Sequence, residues 1–251
     1  MSDIDRIEFE AAFLLHANPY RESSQIIEIF SQDHGRVGLV ARGSRRPRSR
    51  WKSVLQPFQP LHMSWSGRGT LQTLRAAEPA SLPLVFKGMC LMAGYYLNEL
   101  LIALLHRCDP HPDLFAHYGS ALAMLESGAE LEPTLRRFEL ALLSEIGYGL
   151  VTDRDAVDGH PVCADRWYEY FVDQGPVSVA AGSAADGRLV LKGADLAAIG
   201  NGKLDRPESL PIAKRLLREK LNWCLGGRAL KTRQVIASMQ DGLTVESVGH
   251  D

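Results

Sequence analysis

The sequence predicts an α+β chain: a small N-terminal β-barrel, then a mostly helical region that carries a small insert. Three observations predict it. Between residues 9 and 75, five β-rich segments are separated by turns bearing Gly, Asn or Asp. Near residue 80 the apolar spacing changes to three-or-four, the period of a helix. Between residues 150 and 207 the pattern becomes irregular, and helical spacing returns at Ser209.

Taken in order, Phe9–Leu15 is apolar at most positions and precedes the turn-like pair Asn18-Pro19. Ser24–Phe30 (SQIIEIF) is rich in β-branched residues. Asp33-His34-Gly35 reads as a hairpin turn in which Gly35 supplies the positive φ, and Val37–Ala41 is the returning strand. A loop with Gly43 and Pro47 leads to a strand over Val54–Trp65. Gly67-Arg68-Gly69 breaks the chain before a last strand, Thr70–Arg75. Five strands in about seventy residues suit a closed barrel; OB-like and SH3-like barrels both fit, and spacing does not separate them.

Leu84–Arg107 reads as a long apolar-rich helix. Asp113 is placed to cap a second, Leu114–Glu126, which ends at Gly128. Glu132-Pro133 opens a third, with proline at an early position where its missing N–H costs nothing. There Leu135, Phe138, Leu142 and Ile146 share one face, and Gly147 and Gly149 stop the helix. DRDAVDGHPVCADRW reads as loop, VSVAAGSAADGRLVL as two short strands around a turn at Asp186-Gly187, and GNGKLDRPES as a linker. Ser209–Leu225 is helical and closed by Gly226-Gly227, and Leu230–Met239 is a last helix. The expected division is a barrel domain at 1–80, a helical domain at 81–150 and 205–251, and an insert at 151–204.

The chain has 251 residues, 45% of them apolar, which supports a buried core and argues against disorder. No apolar run reaches the ~20 residues of a membrane helix; Leu91–Leu105 is interrupted by Asn98 and Glu99. The acidic start MSDIDRIEFE lacks the layout of a signal peptide. Cys90, Cys108, Cys163 and Cys224 form no CxxC pair, as expected of reduced thiols. These features point to a cytoplasmic protein.

Charge is unevenly distributed. The net formal charge is −2, yet His34–Ala77 contains no Asp or Glu and nine basic residues. Six of them, Arg42, Arg45, Arg46, Arg48, Arg50 and Lys52, fall within eleven positions; Arg36, Arg68 and Arg75 complete the set. So positive a window attracts polyanions whatever the total charge, and arginine grips phosphate with two donors at once. Trp51, between Arg50 and Lys52, is a candidate platform for a nucleobase, with the barrel core as the alternative; Phe58 is expected in the core. Arg136 and Arg137 sit side by side on the third helix. They either face solvent or stand at the rim of a groove suited to an acidic, aromatic peptide.

Signs of catalysis are missing: there is no GxSxG, HExxH, Walker A loop or GxGxxG before a helix. His106, Cys108, Asp109, His111 and His117 crowd a short window, but Pro110 and Pro112 make it an inter-helix loop in preference to a metal site. His160 and Cys163 lack the second pair a structural zinc needs.

The segments HGRVGLVARGSRR (34–46), LQPFQPL (55–61) and GRGTLQTLRAAE (67–78) resemble the N-terminal part of the bacterial recombination mediator RecO family. The resemblance continues through YYLNELL (95–101), PTLRRFELALLSEIGYG (133–149) and LGGRALKTR (225–233). It implies an N-terminal OB-fold domain and a helical domain with an insert that binds zinc through four cysteines in some members. It implies binding of single- and double-stranded DNA, annealing of complementary strands, and recognition of the acidic tail of the single-stranded-DNA-binding protein SSB. With RecR, such proteins help load RecA on SSB-coated DNA, which links them to RecF and to the nucleoid. Arg36, Arg42, Arg45, Arg46, Arg48, Arg50, Lys52 and Arg68 then fall in the DNA-binding domain, and Arg136, with Arg137 beside it, where the SSB tail is received. The insert keeps only Cys163, so no metal or other cofactor is expected, and no catalytic residue. An RNA- or ribosome-binding OB module would carry the same basic strip and is the alternative.

Overall fold

The computed structural model describes residues 6–128, 130–181, 187–204 and 208–236. Asp186 of the expected turn and the end of the expected helix at Met239 lie outside them. The described chain groups into two compact units, one containing residues up to 129 together with those from 230, the other containing 130–229.

In the first unit, β1 (Arg6–Tyr20), β2 (Ser24–Ser31), β3 (Gly35–Ala41), β4 (Pro60–Ser66) and β5 (Leu71–Pro79) form a closed barrel in the order β1-β2-β3-β5-β4. β4 returns to pair with β1, and β3 with β5 is the parallel pair. This is the OB arrangement, and it decides between the two barrels that strand spacing left open. Alternate residues point inward, so Leu14, Ile27, Ile29, Val37, Leu39, Leu61, Met63 and Trp65 fill the interior.

Among the strand boundaries that differ from expectation, two involve proline. β1 continues through Asn18-Pro19 and turns only at Arg21–Ser23. Pairing of β1 with β4 stops at Phe13, so the far half of β1 has a ladder on one side only and tolerates a residue without an N–H. The fourth strand begins at Pro60 rather than Val54, because Pro57 and Pro60 deny the preceding segment a regular ladder. The expected turn at Gly35 is present: its φ is +63°, and a Cβ there would stand 1.8 Å from the backbone oxygen of Asp109.

α1 (Met89–Leu104) and α2 (Pro112–Glu126) pack with the barrel in this unit. α1 starts later than Leu84 because Gly88, at φ +53°, interrupts the helical backbone. The outward face of β1 and β2 is aromatic. Phe13 lies 5.1 Å from Tyr118 and 5.4 Å from Phe115, and Phe30 lies 5.5 Å from Phe115, centroid to centroid. Buried Asn98 of α1 donates to the Leu15 carbonyl at 2.9 Å and accepts from the Tyr118 hydroxyl at 2.5 Å. Phe58 is buried, but outside the barrel interior: its ring packs on Phe86 and Tyr95 at 4.8 and 5.0 Å. The grouping of α1 and α2 with the barrel follows from these outward aromatics, which the alternation of β1 exposed to a partner.

The second unit contains α3 (Leu131–Glu145), β6 (Trp167–Phe171), β7 (Gly175–Val179), β8 (Val190–Lys192), α4 (Gly193–Gly200) and α5 (Ser209–Cys224). The two expected short strands, β7 and β8, do not pair with each other; both pair with β6, in the order β7-β6-β8. β6 turns Tyr168 and Tyr170 into a core with Leu191, Leu196, Ile199, Ala213 and Leu216. The loop before β6 is organised by a buried carboxylate. Asp155 accepts from the Val157 and Ser178 amides at 2.9 and 2.8 Å. Burial opposes its ionisation, but these hydrogen bonds prevail and hold the carboxyl below the usual range.

Candidate nucleic-acid interface

The basic loop leaves β3 at Ala41 and is shaped by short-range turns. The Arg46 amide donates to the Gly43 carbonyl, the Ser49 amide to the Arg46 carbonyl, and Ser49 caps a single 3-10 turn, Arg50–Lys52. The loop is tied to the β1–β2 turn as well. The Arg45 amide donates to the Ser23 carbonyl at 2.9 Å, its guanidinium donates to the Arg21 carbonyl at 3.3 Å, and the Gly43 amide donates to Ser24 Oγ at 3.4 Å.

Within this frame the expected site residues take different places. Arg42, Arg46, Arg48 and Lys52 are exposed and form no ion pair with any described residue. Arg45 and Arg50 are exposed too, but each spends a donor on backbone; Arg50 reaches the Arg75 carbonyl at 3.2 Å and lies 4.4 Å over the Trp51 ring. Trp51 is not a base platform. It is 8% exposed, belongs to the barrel core, is covered by Arg50 and donates from Nε1 to the Arg42 carbonyl at 3.2 Å. A ring beside two cations went inward because the barrel end needed a large plug.

Arg36 is placed differently from the loop cations. It is half-buried on β3, 3.7 Å from Glu28, with Nε buried and lacking a hydrogen-bond partner among the described residues. Burial holds its guanidinium below the ordinary value, opposed by Glu28 and reinforced by Arg107. Arg68 is exposed in the β4–β5 turn, which lies towards the start of β3; the basic loop leaves from the other end. Arg36 and Arg68 are therefore not brought together with Arg42–Lys52.

Two residues absent from the sequence reading join the loop. Tyr20 ends β1 and Arg21, at φ +51°, opens the β1–β2 turn, with the guanidinium 5.1 Å over the ring. They line a cleft of about 460 Å³ with Ser23, Ser24, Val40, Arg42, Gly43 and Arg46. Placing the turn at Asn18-Pro19 concealed them; the register of β2 on β3, which sets Gln25 opposite Ala41, is the signal that brings this turn beside the loop.

On α3, Arg136 is buried, with Glu139 at 2.7 Å and Glu132 at 3.6 Å, while Arg137 is half-buried. Arg136 thus stands inside an acidic pair and not at an open rim, because the buried face of the helix is wider than the apolar stripe alone indicates. The residues of the His106–His117 window do not converge: among the described residues no three His, Cys, Asp or Glu side chains are arranged to hold a metal ion. The four cysteines are free thiols. No helix among the described residues is long and apolar enough to cross a membrane.

Comparison with known proteins agrees with this architecture. A family model described as "Recombination protein O N terminal" matches residues 7–83, and one described as "Recombination protein O C terminal" matches residues 90–234. The chain is 45% identical over 235 residues to "DNA repair protein RecO" of Azoarcus sp. (strain BH72), covering 93% of this chain and 97% of that one. It is 44% identical over 241 residues to the protein of that name from Aromatoleum aromaticum, covering 96% and 100%. With the one from Methylococcus capsulatus it shares 43% over 236 residues, covering 94% and 96%.

Proposed function

Because the chain belongs to the recombination protein O family, we propose that it is a DNA-binding recombination mediator and not an enzyme. In this reading it binds single- and double-stranded DNA, anneals complementary strands, and with RecR helps load RecA on SSB-coated DNA. The observation that carries the reading is the set Arg42, Arg46, Arg48 and Lys52, exposed on one loop of an OB barrel without ion pairs to described residues. Annealing brings two polyanions together against their repulsion, and a cationic rim that contacts both backbones screens it. Engaging roughly four to six phosphates gives a log–log salt slope of about −3 to −4 on single strands. No bond is made or broken, so no catalytic group is required.

Recruitment by the SSB tail would use α3, whose LRRFE segment carries Arg136 and Arg137. A tail carboxylate would compete with Glu132, the more exposed of the two acids beside Arg136. In functional terms the barrel at 1–80 would serve DNA, the helices at 81–150 and 205–251 would serve partners, and the insert at 151–204 would be a separate element.

The test is annealing of complementary oligonucleotides coated with SSB, with and without the SSB tail. Annealing that needs the tail is expected; no annealing at low ionic strength overturns the reading. Competition between matched RNA and DNA strands separates it from an RNA- or ribosome-binding module, for which RNA would win.

A further inference from the structure

OB folds commonly bind oligonucleotides on the outer side of β2 and β3, together with the β1–β2 and β4–β5 loops. Here the chain itself closes that face. Its outward residues, by alternation, are Ile26, Glu28 and Phe30 on β2 and Arg36, Gly38 and Val40 on β3, paired as Ile26 with Val40, Glu28 with Gly38 and Phe30 with Arg36. Phe30 is fully buried beneath Phe115 and Tyr118. Glu28 receives Arg107 Nη2 and lies 3.7 Å from Arg36. The Arg107 guanidinium covers Gly38, where a Cβ would stand 3.1 Å from it, and donates onward to the Thr70 carbonyl at 3.2 Å. Glu28 and Arg36 are half-buried and engaged with each other and with Arg107; Ile26 and Val40, at the other end of the face, are half-buried without such a cover, and beside Val40 the cleft of Tyr20, Arg21, Arg42 and Arg46 opens.

We infer that single-stranded DNA crosses the end of the barrel, between the β1–β2 turn and the basic loop, and seats one nucleotide in this cleft. This deepens the DNA-binding reading and rests on it. The cleft volume, about 460 Å³, lies in the range of small-molecule sites. Its lining supplies each part a nucleotide needs. Arg42 and Arg46 meet the phosphate, Ser23 and Ser24 stand at the wall, and Val40 with the half-buried Tyr20 ring offers the base an apolar seat. Among the described residues no acid lines the cleft. A duplex cannot present an unstacked base there, so it meets the outer cations by its phosphates alone.

Ser23→Trp fills the cleft while leaving every cation in place. Fluorescence anisotropy with a labelled oligothymidylate and with a labelled hairpin duplex, at one salt concentration, reads the effect. Single-strand affinity is expected to fall about tenfold and duplex affinity by less than about twofold. Arg42→Ala with Arg46→Ala is expected to reduce the single-strand salt slope by about 1.4. Wild-type single-strand binding by Ser23→Trp, or equal losses on both substrates, overturns the cleft. Should Ser23→Trp fail to fold, Arg42→Ala/Arg46→Ala is compared with Arg48→Ala/Lys52→Ala. A larger single-strand loss from the first pair supports the cleft, and equal losses overturn it. A wild-type protein that binds neither nucleic acid overturns the DNA-binding reading itself, so the two failures are distinct.

Discussion

Arg136 Nη2 donates to Glu139 Oε1 at 2.7 Å, and the two side chains are 7% and 1% exposed. Removing one member of such a pair strands a buried charge, which costs about 3–5 kcal/mol. Arg136→Ala is therefore expected to lower Tm and SSB-tail affinity together, and cannot by itself assign a contact. Arg136→Met with Glu139→Gln neutralises both and keeps hydrogen-bonding capacity at 139. Calorimetry should show most of the stability restored; titration with a tail peptide then reads the contact alone. Tail binding equal to wild type would remove Arg136 from the partner site.

The loop arginines separate into holders and contacts. Arg50→Ala loses the stacking on Trp51 and the bond to the Arg75 carbonyl, and should destabilise the barrel by about 1 kcal/mol in denaturant unfolding. Arg48→Ala with Lys52→Ala removes exposed charges that form no ion pair with a described residue, and should weaken DNA binding with Tm unchanged. Reversal of Arg46 and Arg48 to Glu is accordingly a cleaner test than reversal of Arg45 or Arg50. If DNA affinity and its salt slope survive that reversal, the loop is not the interface.

Glu99 caps the segment that begins at Leu230. Its carboxylate accepts from the Lys231 and Thr232 amides at 2.8 and 2.9 Å and from the Thr232 hydroxyl at 2.6 Å. Burial raises its pKa, but these bonds and the Lys231 charge outweigh burial and hold the carboxyl below its ordinary value of 4.5. A carboxyl depressed by folding contributes stability that is present above that ordinary value and lost as pH falls through the lower folded value. Amide exchange at Lys231 and Thr232 should thus be slow near neutral pH in wild type and faster in Glu99→Gln at the same pH. The difference between the two proteins should shrink in acid below pH 4.5. Identical exchange at neutral pH would show that the cap is not formed in solution.

Asp155 organises the loop before β6 through two backbone amides. Asp155→Ala leaves the Val157 and Ser178 amides without acceptors and should cost the second unit about 2 kcal/mol. Chelator should leave the thermal unfolding of the wild type unchanged. A fall in Tm with chelator would show instead that a bound metal stabilises the insert.

Several of these features were legible in the residues alone. The turn at Gly35, the cationic loop, the face of Leu135, Phe138 and Leu142, and the helix ends at Gly128 and Gly147 each depend on a few neighbouring positions. Their causes are local: a positive φ, a gap in acids, a 3.6-residue period. Trp51 shows the limit, since its two cationic neighbours are visible in the chain but the hollow it plugs is not. The central strand β6 escaped notice because the aromatic alternation of five residues means little until β7 and β8 arrive on either side.

The chain thus determined by itself that a barrel would carry a dense positive loop and that helices would follow. Only the tertiary structure decided which cations stay exposed, which are consumed by Glu28 or by backbone carbonyls, and which end of the barrel remains open. Those outcomes depend on pairs such as Arg107 with Glu28, 79 positions apart. Such pairs form only when the whole fold has offset the entropy of bringing distant segments together, so no local window of sequence contains them.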